Sequence, residues 1–282
     1  MKLSASTIFA NISPPTLFTC LRCKIAIFSS TPSVFCGIRF AFRPNGYAAN
    51  FTEERAVALA HDMAAIVSHS PSFASAQFTI SVAELAALPS APLAMLPELA
   101  FVGRSNSGKS TAINELTQRR RLAYSSKTPG RTQMLNFFSV MDNAPLAERK
   151  ICAYLVDLPG YGFAKADAMT RKRWDGLVGG YLLGRRMLRG VVLVMDARRP
   201  FLPADEDLLG WICGREDLER FRLHLLLSKA DQIGAAERRA VKERAEQRAQ
   251  DLPIATSVQL FSAHDRSGLE ELREAAAQIL EA

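Results

Sequence analysis

The chain has 282 residues, 48% of them hydrophobic and 22% charged, a balance that fits a globular protein with a core and excludes a disordered or fibrous one. No apolar run reaches the ~18–20 residues that cross a bilayer as a helix, so a soluble cytoplasmic protein with no membrane partner is expected. The formal charge of +7 does not mark a nucleic-acid domain: residues 1–52 hold Lys2, Arg22, Lys24, Arg39 and Arg43 with no acid, which leaves +2 for the rest.

In chain order, residues 1–75 come first and read as an extension. They are rich in Ser, Thr, Phe and Pro, carry no acid before Glu53 and show no sustained period. Two readings fit, an organellar targeting peptide or a start codon placed upstream of the true one near Met63. The second is favoured because the sequence that follows looks bacterial. Three of the five cysteines, Cys20, Cys23 and Cys36, lie here, with Cys152 and Cys213 further on. An odd, sparse set makes no disulfide framework, and Cys20-Leu-Arg-Cys23 lacks the second pair a metal site needs.

Residues 76–282 are expected to form one α/β domain. Short apolar runs predict buried strands at 99–102, 151–156, 191–195, 223–227 and 258–261. Trp174, Leu177, Val178, Tyr181 and Leu182 share one face of a helix. Residues 237–248 form a charged, solvated helix with Arg239/Glu243 and Lys242/Glu246 four apart. Residues 268–280 form a closing amphipathic helix. This alternation predicts a mostly parallel sheet with helices on both faces.

The chemistry sits at the strand ends. Gly103-Arg104-Ser105-Asn106-Ser107-Gly108-Lys109-Ser110 matches G-x-x-x-x-G-K-[ST] between a predicted strand and a helical stretch opening at Thr111. Backbone N–H groups there can wrap phosphate oxygens, with Lys109 supplying a cation and Ser110 a magnesium ligand. Asp157-Leu158-Pro159-Gly160 closes the next strand, 48 residues after Lys109. A carboxylate there steers magnesium, and a glycine N–H senses a γ-phosphate. Ser228-Lys229-Ala230-Asp231 closes a third strand. Asp231 can accept from N1–H and the 2-amino group of guanine, donors that adenine lacks in that arrangement. Ser228 stands where Asn or Thr is usual. Phe261-Ser262-Ala263 would bring a backbone N–H toward O6.

Residues 101–114, 126–133, 157–162, 196–200 and 258–263 together resemble the EngB (YihA/YsxC) family of bacterial GTPases, of the TrmE–Era class. The likeness runs over roughly 200 residues from about Phe78. It implies a Ras-like P-loop GTPase domain with a sheet of about six strands, and magnesium as cofactor. It implies slow hydrolysis of GTP to GDP, a monomer, and work on the large ribosomal subunit or its rRNA, linked to cell division or septation. It adds Gly130, Arg131, Thr132 and Gln133 to the nucleotide site, with Thr132 beside Ser110 as a magnesium ligand. Lys109, Thr132, Asp157 and Gly160 become the catalytic set. Tyr161 stands where Ras-type enzymes carry a water-orienting glutamine, and Asn106 stands where potassium-activated relatives carry a cation-binding asparagine. Two alternatives stay open: another RNA-associated GTPase of the class, or a nucleotide-gated binding module with incidental turnover. Arg119–Arg121, Arg171–Arg173 and Arg185/Arg186/Arg189 are basic clusters that could meet rRNA or simply face solvent.

Overall fold

Unbroken apolar runs fold as strands buried on both faces, and the centre of this protein consists of such strands. The computed structural model describes residues 18–19, 26–27, 70–88, 95–123, 134–162, 172 and 174–281. Contacts divide the chain into two units, Met1–Ala56 and Val57–Ala282. In the first, Phe18–Thr19 pairs antiparallel with Ala26–Ile27.

Among the described residues, the second unit holds seven strands: β1 Pro71–Val82, β2 Glu98–Gly103, β3 Leu135–Asp142, β4 Ile151–Asp157, β5 Leu188–Asp196, β6 Arg222–Ser228 and β7 Ala255–Leu260. Its helices are α1 Lys109–Leu116, α2 Gly180–Gly184, α3 Pro203–Cys213, α4 Ala235–Gln250 and α5 Leu269–Glu281. The sheet order is β1-β3-β4-β2-β5-β6-β7. The pairs β1/β3 and β3/β4 are antiparallel; β4/β2, β2/β5, β5/β6 and β6/β7 are parallel. This is the Ras-like GTPase fold, with β2 to β7 as its six strands and β1 as a seventh at the edge.

Alternate residues of the central strands feed two cores. Ala100, Val102, Val191, Leu193 and Met195 pack with Tyr181, Leu182, Leu209, Ile212 and Val241 of α2, α3 and α4. Leu99, Phe101, Val192 and Val194 pack with Ile113 and Leu116 of α1 and Leu272 and Ile279 of α5. Helices therefore cover both faces. The apolar stripe predicted around Trp174 is a π-helical turn, Asp175–Gly179, running into α2. In α4 the Lys242–Glu246 pair forms at 3.8 Å, and Val241 and Ala245 are the buried positions.

Two strands escaped the sequence reading. β3 mixes apolar pairs with Asn136 and Ser139, so it shows no clean period. β1 carries five polar residues, Ser72, Ser75, Gln77, Thr79 and Ser81, and buries Phe73, Ala76 and Val82. Pairing and side-chain bonds hold it instead: Ser75 Oγ accepts from Met141 N–H at 2.8 Å, and Thr79 Oγ1 from Ser139 N–H at 3.1 Å. Since β1 begins at Pro71, a boundary drawn between residues 75 and 76 cuts through it.

Arg185, read as part of a basic cluster, faces the protein. Its guanidinium grips the fully buried Glu98 carboxylate, with Nε 2.9 Å from Oε1, and the buried Tyr181 hydroxyl donates to the other oxygen at 2.7 Å. Among the other basic residues named, Lys172 is exposed, and Arg171 and Arg173 lie outside the described residues.

Candidate functional site

The C-terminal ends of β2, β4 and β6, with the loop after β7, lie along one edge of the sheet, and every described motif hangs there. Parallel strands with right-handed crossovers bring their carboxyl ends to a common edge, which is where open α/β sheets bind ligands.

Residues 103–110 leave β2 and turn into α1. At Gly103 any side chain would collide, since a Cβ would lie 2.5 Å from Val194 O and 2.6 Å from Ser107 Oγ. Gly108 caps α1 with φ +96°, a left-handed conformation that favours glycine. The first helical bond runs from Ala112 N–H to Gly108 O at 2.9 Å. The N–H groups of Lys109, Ser110 and Thr111 therefore leave the helix N-terminus without helical acceptors, as donors for an anion. Ser105, Asn106 and Thr111 are exposed, while Arg104 and Ser110 are half-buried. The buried Ser107 Oγ has no hydrogen-bond partner among the described residues.

Lys109 Nζ bonds Asp157 Oδ1 at the end of β4, with both side chains almost wholly buried. Burial pushes the Asp157 carboxyl above the usual carboxylate range, and the Lys109 ammonium opposes that rise. Leu158 N–H donates to Phe101 O at 3.0 Å, which seats Leu158 and Pro159 beside β2. A Cβ on Gly160 would lie 3.3 Å from Ser105 N, so this glycine abuts the phosphate loop.

The base motif closes the far end. Buried Ser228 donates through Oγ to Ser107 O and lies 3.0 Å from Met195 O, so the departure from Asn or Thr keeps a hydroxyl that ties β6 to the phosphate loop. Lys229, with φ 57°, places Nζ 2.6 Å from Asn106 O and 3.0 Å from Asp196 Oδ2. Arg198 binds the same Asp196 carboxylate through Nε and Nη2 at 2.9 and 2.6 Å. These cations hold the Asp196 pKa below the usual range although burial raises it. Ala230 N–H donates to Phe261 O at 3.1 Å, coupling the two base loops. Asp231 Oδ1 accepts from Ser262 Oγ at 2.8 Å. Phe261 N–H and Ser262 N–H are committed to Leu227 O at 2.8 Å and Ser267 O at 3.1 Å, so of the three residues Ala263 is the candidate for the expected donor.

Described residues of all four motifs thus meet at one edge, whereas Gly130, Arg131, Thr132 and Gln133 lie outside the described residues. Sequence reasoning missed the Asp196–Arg198 pair as the support of Lys229, and it missed Asp205, whose carboxylate accepts from Leu202 N–H at 3.0 Å and from Tyr161 Oη at 2.6 Å. An Asp three residues after Leu202 at a Pro203 helix start is a legible cap. Its bond to Tyr161 is not.

Residues 98–229 match a family model described as "50S ribosome-binding GTPase". A probable GTP-binding protein EngB from Ralstonia pickettii is 46% identical over 204 residues, covering 70% of this chain and 82% of that protein. The Coxiella burnetii protein of the same name is 41% identical over 208 residues, covering 74% and 94%. Among solved structures, the crystal structure of a probable GTP-binding protein engB aligns with TM-score 0.46 and 20% identity, over 65% of this chain and 98% of that one.

Proposed function

The chain belongs to the EngB family of GTP-binding proteins, and on that footing we propose that it is a slow GTPase switch acting in large ribosomal subunit assembly, on which normal cell division depends. The observation that carries the reading is the convergence of the Lys109–Asp157 pair and Asp231 on one sheet edge. One end suits a triphosphate and the other a guanine.

On binding GTP, Lys109 exchanges Asp157 for β- and γ-phosphate oxygens, and the α1 N-terminus donates to the same phosphates. Ser110 and Thr132, with Asp157 through a water, would hold magnesium. A hydroxyl, a carboxylate and phosphate oxygens make the hard oxygen set this cation takes. Magnesium supplies charge neutralisation at the phosphates. Asp231 accepts from N1–H and the 2-amino group of guanine, and Ala263 N–H donates to O6. Tyr161 carries no amide to orient water, and its hydroxyl is engaged by Asp205, so turnover well below ~1 s⁻¹ is expected. Potassium near the exposed Asn106 side chain, or a ribosomal partner ordering Thr132, would raise it by adding charge or geometry at the transferring group.

The description of the matched family model supports the ribosomal assignment, as does the exposure of Arg119–Arg121 just past the C-terminal end of α1. The test loads the full chain with GDP or a non-hydrolysable GTP analogue and sediments it with large subunits and their precursors. Retention in the triphosphate form is expected. Equal, negligible retention in both forms would overturn the ribosomal reading, while GTP turnover measured in parallel decides the enzymatic one.

A further inference from the structure

Gly160, placed to sense a γ-phosphate, is gripped on both sides. Before it, Pro159 O accepts from Trp174 Nε1 at 3.0 Å. After it, Tyr161 N–H donates to Gly103 O at 3.4 Å, and Tyr161 O accepts from Ser105 N–H at 3.1 Å. The Tyr161 ring lies 5.8 Å from that of Trp174, which lies 5.7 Å from Trp211 on α3. The Tyr161 hydroxyl ends on Asp205 Oδ1 at 2.6 Å.

Asp205 is fully buried and has three partners among the described residues. Besides Tyr161 and the Leu202 N–H, the Arg104 Nε of the phosphate loop lies 3.2 Å from Oδ1, an ion contact too poorly aligned to be a hydrogen bond. Arg104 is fixed in turn by donation from Nη2 to Arg199 O at 2.9 Å. Capping a helix does not require burial, since an exposed carboxylate does it equally well. Burying a carboxylate costs several kcal/mol unless partners compensate, and here one partner follows Gly160 directly and another belongs to the phosphate loop that Gly160 abuts.

We propose that Asp205 is a positioning residue for GTP hydrolysis: through Tyr161 and Arg104 it sets the Gly160 peptide against the phosphate loop. It thereby sets where a γ-phosphate and the attacking water meet. The inference rests on the GTPase reading above.

The test uses the full chain with Asp205→Asn and Tyr161→Phe, singly and together. Tyr161→Phe removes one hydroxyl and leaves an aromatic ring against Trp174 without its tether to Asp205, so it preserves the fold while freeing the ring to shift. Single-turnover hydrolysis is expected to fall by about tenfold or more in each variant, because small displacements of reacting groups are costly. GDP affinity should stay near wild type for Tyr161→Phe, and the melting temperature should fall by no more than the roughly 2–4 °C that one lost hydrogen bond accounts for. The double variant should be no slower than the slower single, since the Tyr161 hydroxyl acts only through Asp205. Trp174 and Trp211 are the chain's two tryptophans and both belong to the stack, so their emission reports the anchor independently of turnover and should shift in both variants. Wild-type rates with unchanged emission would overturn the proposal. So would a fall in rate matched by equal falls in GDP affinity and melting temperature, the mark of a merely structural role. A wild-type chain that hydrolyses no GTP would remove the GTPase reading instead, and unchanged emission in the variants would then still refute the anchor.

Discussion

At the scale of single residues, the proposed function makes Lys109 answerable for affinity and Asp231 for identity. Lys109 and Asp157 share a nearly dry contact, and a charge left alone there is costly. Lys109→Ala should nevertheless fold, because burial already raises the Asp157 pKa and the orphaned carboxyl takes up a proton. It should lose detectable GTP binding in a fluorescent-nucleotide titration; unchanged affinity would show that the phosphates bind elsewhere. Asp231→Asn is argued from the other end. The asparagine Oδ1 can still accept from Ser262 Oγ, so the side chain keeps its place, while its NH₂ now donates where guanine also donates. Affinity for GTP should drop at least about a hundredfold and xanthosine triphosphate should become the better competitor. A variant that still prefers GTP would mean that Asp231 does not read the base.

At the scale of elements, β1 shows how a strand forms without an apolar pattern. Its backbone pairs with β3 from Pro71↔Asp142 to Val82↔Leu135 across two irregularities, and Phe73 is its deepest aromatic, at 6% exposure. A chain beginning at Ala76 loses Phe73, whose burial is worth about 2 kcal/mol, and with it the Ser75 bond to β3. It should melt roughly 4–8 °C below a chain beginning at Val57, by differential scanning calorimetry, while both bind GTP alike because every site residue lies beyond Phe101. Equal melting temperatures would show that the first half of β1 carries no stability. The strand was illegible because an edge strand is stabilised by its neighbour, and the sequence of β1 does not contain that neighbour.

At the scale of the whole molecule, acid stability has an identifiable contributor. His224 is buried in β6 between Ser257 Oγ at 2.8 Å and Gln259 Oε1 at 2.9 Å on β7. Burial lowers its pKa from 6.5 to about 4, against a smaller rise from the Gln259 bond. The unfolded chain therefore binds a proton between these values that the folded chain refuses. Stability should fall as pH drops from about 6.5 to 4, by about 3 kcal/mol from this residue, and its share should level off below that. Urea unfolding of wild type and His224→Gln across this range checks it. Parallel pH profiles would exonerate the histidine.

The sequence by itself determined the phosphate loop, the Asp157 and Asp231 motifs and the central strands, because each is written within a short stretch whose glycines, charges and apolar runs act locally. Tertiary structure alone decided what supports them. Tyr161 meets Asp205 across 44 residues, Arg185 meets Glu98 across 87, and Ser228 meets the phosphate loop across 121. Nothing in the local chain marks which two members of such a pair will meet. A tyrosine after Gly160 reads only as a missing glutamine, and Arg185 reads as a surface cation. Their partners arrive only when the parallel strands stack: Tyr161 and Ser228 lie at the carboxyl ends of β4 and β6, while Glu98 opens β2 and Arg185 precedes β5 at the opposite edge. Burial at either edge makes an unpaired charge too costly to leave.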